Sequence, residues 1–263
     1  MKKAPLVPSD VASGIELKDF LKISLVDLVA GQIRAGIFSG KYLPGQKLIV
    51  RELSEDLGVS HTPVKDALNR LTAEGLVEAF PGRSMVVRSF TNDELIESMS
   101  VRLMCELSHA AEIAANASEN SELLEELESL WQEMKRLLHD EGDLDHERWV
   151  DCETRFHRLY VSVGGNAKLS QVYDSLDVNR FTYFAYLYNN SVPLGRDTYE
   201  KNVAEHREII DALKLGDADK FARAAAGHVL RACDDYEMDE AAREKITQIH
   251  RMANRYLGGN SPR

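Results

Sequence analysis

Apolar residues at Leu21, Leu25, Leu28, Val29, Ile33 and Ile37 fall on one helical stripe and predict a helix over about 19–38. Gly40 and the pair Pro44-Gly45 end it. A short helix from about Val50 to Leu57 is closed by Gly58. Ser60 stands at an N-cap position, where its hydroxyl can accept from an otherwise unpaired first-turn amide. Pro63 is tolerated in that first turn, and Val64, Ala67, Leu68 and Leu71 supply the next apolar stripe. Gly75 is a natural C-terminal stop. The period then drops from 3.6 to about 2. Leu76 to Phe80, the turn Pro81-Gly82-Arg83 and Met85 to Val87 predict a small β-hairpin, the only β structure in the pattern. From Thr91 onward every segment has helical spacing. Thr91 or Asn92 caps a long helix to about Ala117, and others run over roughly 119–140, 145–163, 167–189, 197–215 and 217–254.

The expected fold is therefore mainly α: an N-terminal winged helix-turn-helix followed by a C-terminal antiparallel all-helical bundle. The boundaries read from the pattern are a flexible arm at 1–16, the winged domain at 17–90, the helical domain at 91–255 and a tail at 256–263.

Composition narrows the function classes. No apolar run approaches the roughly 18–20 residues of a membrane span, so no membrane partner is expected. The start, MKKAPLVPSD, lacks the apolar stretch of a signal peptide. Cys105, Cys152 and Cys233 are too few and scattered for a disulfide framework, and a reduced, cytoplasmic protein is expected. Net charge is −11, which at first argues against nucleic acid. Its distribution argues otherwise. Residues 17–90 carry ten Lys and Arg against eight Asp and Glu, while residues 91–263 carry twenty against thirty-three. Such asymmetry suggests two domains with different partners.

Opposite the apolar stripe of the second short helix lie His61, Thr62, Lys65, Asn69 and Arg70, near a helix N-terminus that itself favours phosphate. Arg51 on the preceding helix and Arg83 at the hairpin tip add flanking cations. A solvated helix face would look the same alone. Helix, turn, helix and basic-tipped hairpin in this order favour DNA binding.

The stretches IRAGIFSGKYLPGQKLIVRELSEDLGVSHTPVKDALNRLTAEGLV and PGRSMVV resemble the N-terminal domain of the GntR family of bacterial transcription regulators. That resemblance implies that Arg51, Ser60, His61, Thr62, Lys65, Gly82 and Arg83 match positions contacting operator DNA, a pseudo-palindrome read by a homodimer. His61 and Lys65 stand where the family usually has arginines. Lysine lacks the planar fork that reads guanine bidentately, and histidine is largely neutral at pH 7.

In the second half, histidines occupy faces that ought to be apolar. Glu153 and His157 are spaced i, i+4 and share a stripe with Phe156 and Tyr160. His206 lies in line with Ile209, Ile210 and Leu213, and His228 with Phe221, Ala224 and Ala225. Each alone reads as a hydrogen-bonded core histidine. Three of them and a carboxylate on three bundle helices can also converge on a divalent metal, for which this donor set suits zinc, nickel, iron or manganese.

The stretches SVRLMCELSHAAEIAA, ETRFHRLYVSVGGNAKL and EHREIIDALKLGDADKFARAAAGHV resemble the helical effector domain of the FadR subfamily, in the form called FCD. The resemblance implies an acid–His–His–His metal site, zinc first, with Glu153 where an aspartate is commoner. It also implies that Arg102 faces a small carboxylate effector, with Glu106 beside it as a further candidate effector contact. The alternative for Arg102 is an ion pair with Glu106, one turn away. Asn166 reads as an effector contact or a helix cap. Arg180 and the aromatic run Phe181 to Tyr188 read as pocket wall, core or dimer interface. The expected function is a metabolite-responsive repressor, with a metal-dependent hydrolase or lyase as the alternative. No general base accompanies the four ligands, which weighs against the enzyme.

Overall fold

The computed structural model describes residues 24–82, 84–89, 91–139, 144–176, 196–234 and 240–258. They fall into two units, divided after Ser89. The expected arm, most of the tail, Arg83 and Arg180 lie outside the described residues.

The first unit opens with α1 (Leu25–Phe38). Ser24 and Asp27 form a reciprocal capping box there, each side chain accepting from the other's backbone amide. Val29, Ala30, Ile33 and Ile37 bury the apolar face. Strand β1 (Lys47–Leu48) precedes α2 (Val50–Leu57), which Gly58 closes at φ +67°. Helix α3 (His61–Ala73) buries Val64, Ala67, Leu68 and Leu71, the stripe that the sequence predicts, and Pro63 beside them. Strands β2 (Val77–Phe80) and β3 (Ser84–Val87) form the hairpin, with Phe80 paired to Ser84. The sheet has three strands in the order β1-β3-β2, with Lys47 opposite Val86 and Leu48 opposite Met85. Two residues are too short to show a period, so β1 has no signature in the pattern.

The second unit is a helical bundle. Its helices are α4 (Asn92–Ser108), α5 (Ala110–Ser118), α6 (Ser121–His139), α7 (His146–Ser162), α8 (Ala167–Leu176), α9 (Arg196–Leu215), α10 (Ala218–Asp234) and α11 (Glu240–Tyr256). The long helix expected from Thr91 to Ala117 is broken at His109, whose φ of −123° and ψ of 22° leave the helical region. The Ser108 hydroxyl bonds the Cys105 carbonyl and His109 Nδ1, a local alternative to continuing the helix. The single helix expected over 217–254 is likewise two helices, α10 and α11.

Helix α9 packs on α5, α6 and α10, and α7 on α6 and α8. Ile113, Leu127, Phe156, Tyr160, Ile209, Leu213 and Phe221 fill the core between them. A second cluster, with Leu95, Met99, Leu103, Val229, Ile246 and Ala253, joins α4, α10 and α11. Among the described residues no helix is long and apolar enough to cross a membrane.

Candidate nucleic-acid interface and metal centre

On α3, the buried apolar stripe forces the alternate positions outward. His61, Thr62, Lys65 and Asn69 are exposed, as is Arg51 on α2. Among the described residues, no carboxylate is paired with Arg51, His61 or Lys65. Ser60 is at the N-cap with extended backbone, but its hydroxyl makes no cap hydrogen bond, contrary to the sequence expectation. The side chain is exposed, so water or a ligand can take the place of the first-turn amide. Arg70 differs from the others. It pairs with Asp27 and with Glu74, which also accepts from Arg34 at 2.8 Å, so its charge ties the end of α3 to α1. Gly82, in the hairpin turn, takes φ +93°, a conformation that favours glycine.

In the helical unit, α7 supplies Glu153 and His157, α9 supplies His206 and α10 supplies His228. All four are buried. One potential ligand atom from each lies within 4.8 Å of all the others. His206 Nε2 is 3.2 Å from His157 Nε2, and both nitrogens are 3.4 Å from Glu153 Oε2. Tetrahedral ligands held about 2.1 Å from a metal are separated by about 3.4 Å, so these spacings match a shared ion. The three imidazole rings gather with centroids 4.8–5.1 Å apart.

The electrostatics favour ligand forms. Burial would raise the Glu153 carboxyl, but the charge of His206 and hydrogen bonds from His157 and His206 outweigh it and hold it well below the usual carboxylate range. Burial, and then the Arg102 charge, push His157 well below the ordinary histidine value. Burial, and then His206, do the same for His228. An ionised Glu153 beside His157 and His228 biased toward their neutral forms is what a divalent cation requires of these three. His206 Nδ1 is buried with no hydrogen-bond partner among the described residues. Such a cluster is costly without a cation to hold it, and the donor set fits one.

Two of the imidazoles are oriented from outside. His157 Nδ1 is 2.5 Å from the Tyr160 hydroxyl, and His228 Nδ1 is 2.8 Å from Glu205 Oε2. For His228, whose Nδ1 faces a carboxylate, Nε2 is the nitrogen left for a ligand bond. His157 Nε2 faces Glu153 and His206, with Arg102 Nη2 also 3.0 Å away. The sequence reading missed Glu205, Asn202 and Arg231. Asn202 is i−4 from His206 and Arg231 is i+3 from His228, so helical spacing could have pointed to both. Glu205 is off that face and gives no such signal.

Arg102 and Glu106 are buried on α4, and Arg102 Nε donates to Glu106 Oε1 at 2.9 Å. The ion pair that the sequence allows is therefore present, inside the unit rather than on a surface. Arg102 Nη2 lies 2.9 and 3.0 Å from the two ring nitrogens of His157, so the guanidinium borders the cluster. Burial disfavours its charge, but Tyr173, Glu106 and Tyr160 more than compensate. The Tyr173 hydroxyl donates to Glu106 Oε1 at 2.8 Å, while Glu106 Oε2 is buried with no partner among the described residues. Asn166 Oδ1 accepts from the Leu169 amide at 3.1 Å, the helix-cap role, and its Nδ2 approaches His109 Nε2 at 3.2 Å. The three cysteines are buried, and burial pushes the Cys152 thiol up to about 11, consistent with an inert role.

Residues 25–87 match the family described as "Bacterial regulatory proteins, gntR family", and residues 97–231 match the FCD domain. The chain is 31% identical over 205 residues to the "Probable D-xylose utilization operon transcriptional repressor" of Paenarthrobacter nicotinovorans, covering 76% of this chain and 85% of the relative. It is 26% identical over 196 residues to the "HTH-type transcriptional regulator McbR" of Escherichia coli, covering 74% and 85%. Among solved structures, "E. coli McbR/YncC" superposes with a TM-score of 0.58 at 22% identity, over 88% of this chain and all of that one.

Proposed function

Because the chain belongs to the GntR family of bacterial regulatory proteins and carries an FCD domain, a transcription regulator rather than an enzyme, we propose that it is a metal-dependent, metabolite-responsive repressor of the FadR subfamily. It acts in the cytoplasm as a homodimer on a pseudo-palindromic operator, through Arg51, His61, Thr62, Lys65 and the wing residues Gly82 and Arg83. The observation that carries the reading is the convergence of Glu153, His157, His206 and His228 within 4.8 Å in a buried core.

Zinc is the first candidate for this donor set, with nickel, manganese and iron after it. A metal held there supplies a Lewis-acidic centre to a hard anionic oxygen. The residues do the rest. Arg102 offers a guanidinium that matches a carboxylate with parallel hydrogen bonds, and Glu106 holds Arg102 in place. The effector is accordingly a small carboxylate, since burying that charge needs a cationic partner. Binding alters DNA affinity only if the effector favours one conformation of the protein over another.

A gel-shift on the DNA upstream of the chain's own gene tests this, with and without zinc and a panel of sugar acids, hydroxy acids and dicarboxylates. The expected result is a retarded band that at least one acid releases in the presence of metal. Release by neutral ligands alone, or with equal potency after metal removal, would contradict the metal-linked carboxylate.

A further inference from the structure

Arg231 lies on α10, one turn beyond His228. It contacts two residues that themselves touch the clustered side chains. Its Nη2 is 2.8 Å from Glu205 Oε2, and its Nε donates to Glu205 Oε1. The same Nη2 also donates to the Asn202 side-chain oxygen. Glu205 in turn holds His228 Nδ1 at 2.8 Å, and the Asn202 amide donates to Glu153 Oε1 at 3.4 Å. One guanidinium therefore anchors the outer partners of two ligands contributed by different helices.

The chemistry of each arm is specific. A carboxylate oxygen facing Nδ1 of a neutral imidazole accepts its proton, so the other nitrogen, Nε2, keeps its lone pair. Glu205 thus selects the His228 tautomer that can ligate. Asn202 occupies Oε1 of Glu153, leaving Oε2, the oxygen 3.4 Å from His157 and His206, as the ligand atom. Glu205 and Asn202 are on α9 with His206, whereas Arg231 is on α10 with His228. Their contact fixes the two ligand-bearing helices at the level of the cluster. The planar fork of arginine suits this, because it reaches a carboxylate and an amide oxygen together, which an ammonium does less well.

From this network we infer that Arg231 is a positioning residue for the metal centre, acting through Glu205 on the tautomer of His228 and through Asn202 on the orientation of Glu153. The inference rests on the metal reading above and adds to it three residues that do not bind the ion.

The test uses the full-length chain with Zn²⁺ in competition with a chromophoric chelator, for the parent and for Arg231→Met, Arg231→Lys and Glu205→Gln. Arg231→Met and Glu205→Gln are expected to weaken zinc binding by about 10–100-fold, and Arg231→Lys by less. The readout that a merely structural role would not move is the imidazole nitrogen NMR of metal-free protein labelled in histidine. His228 should carry its proton on Nδ1 in the parent and shift toward the other tautomer in Glu205→Gln and Arg231→Lys. The lysine variant retains the charge and is the reference if Arg231→Met fails to fold. Zinc binding by the parent, with affinity and His228 tautomer unchanged in Arg231→Lys and Glu205→Gln, would overturn the role of Arg231 and leave the metal reading standing. No zinc binding by the parent would overturn both.

Discussion

In the winged unit, His61, Thr62 and Lys65 stand exposed on α3, with the apolar stripe of the same helix beneath them. In the helical unit, Glu153, His157, His206 and His228 are buried among Phe156, Tyr160 and Phe221, with Arg102 and Glu106 beside them. The two units place polar chemistry on opposite sides of the solvent boundary. An exposed cation on a helix costs the fold almost nothing, so its identity is free to answer to a partner. A buried ionic cluster costs several kcal/mol unless every member is satisfied, so its identity is tied to folding and to whatever completes it. Function in the first unit is separable from stability, while in the second the two are coupled.

The largest effect expected from that contrast is at Arg102. Arg102→Ala leaves Glu106 buried without its guanidinium and should lower the stability of the helical unit by about 3–5 kcal/mol, read by urea denaturation. A loss under about 1 kcal/mol would show that Glu106 finds another partner or takes up a proton. Metal should come next. Zinc at 100 times its dissociation constant should stabilise the helical unit by about 2.7 kcal/mol and leave the winged unit unmoved. A calorimetric scan that follows the two units separately, with and without chelator, checks this. Equal shifts in both units, or none, would break the comparison.

The winged unit is not immune to its own packing. A Cβ at Gly36 would meet the Tyr42 ring at 2.5 and 2.7 Å. Gly36→Ala should cost that unit about 1–3 kcal/mol and leave zinc affinity unchanged. The smallest stability effect belongs to Lys65→Ala, within about 0.5 kcal/mol. Its consequence lies in DNA binding, where a lost phosphate contact should lower affinity across sequences and reduce the salt slope by about one. Parent-like binding across several salt concentrations would remove Lys65 from the interface.

The same contrast explains what the sequence made legible. Periodicity exposed the α3 stripe and hence the outward positions, because a surface helix has two dissimilar faces. It exposed the four histidine and glutamate positions because polar residues interrupt apolar stripes that the core needs. It could not assign Arg102, since i, i+4 spacing to Glu106 looks the same exposed or buried; only the packing of α4 decides that. Nor could it show Arg70 turned to Asp27, a pairing across 43 residues of chain. The break at His109 was hidden because the apolar spacing runs on through Ala110, Ile113 and Ala114 while the backbone turns.

The measurement that bears most directly on the coupled, metal-dependent character of the helical unit is metal stoichiometry. Full-length protein is stripped, reconstituted separately with zinc, nickel, manganese and iron(II), freed of excess and analysed for bound ion, beside His206→Ala and His228→Ala. The expected result is about one equivalent of at least one metal in the parent and a loss of most of it in both variants. Less than about a tenth of an equivalent of every metal in the parent, or parent-like content in both variants, would contradict it.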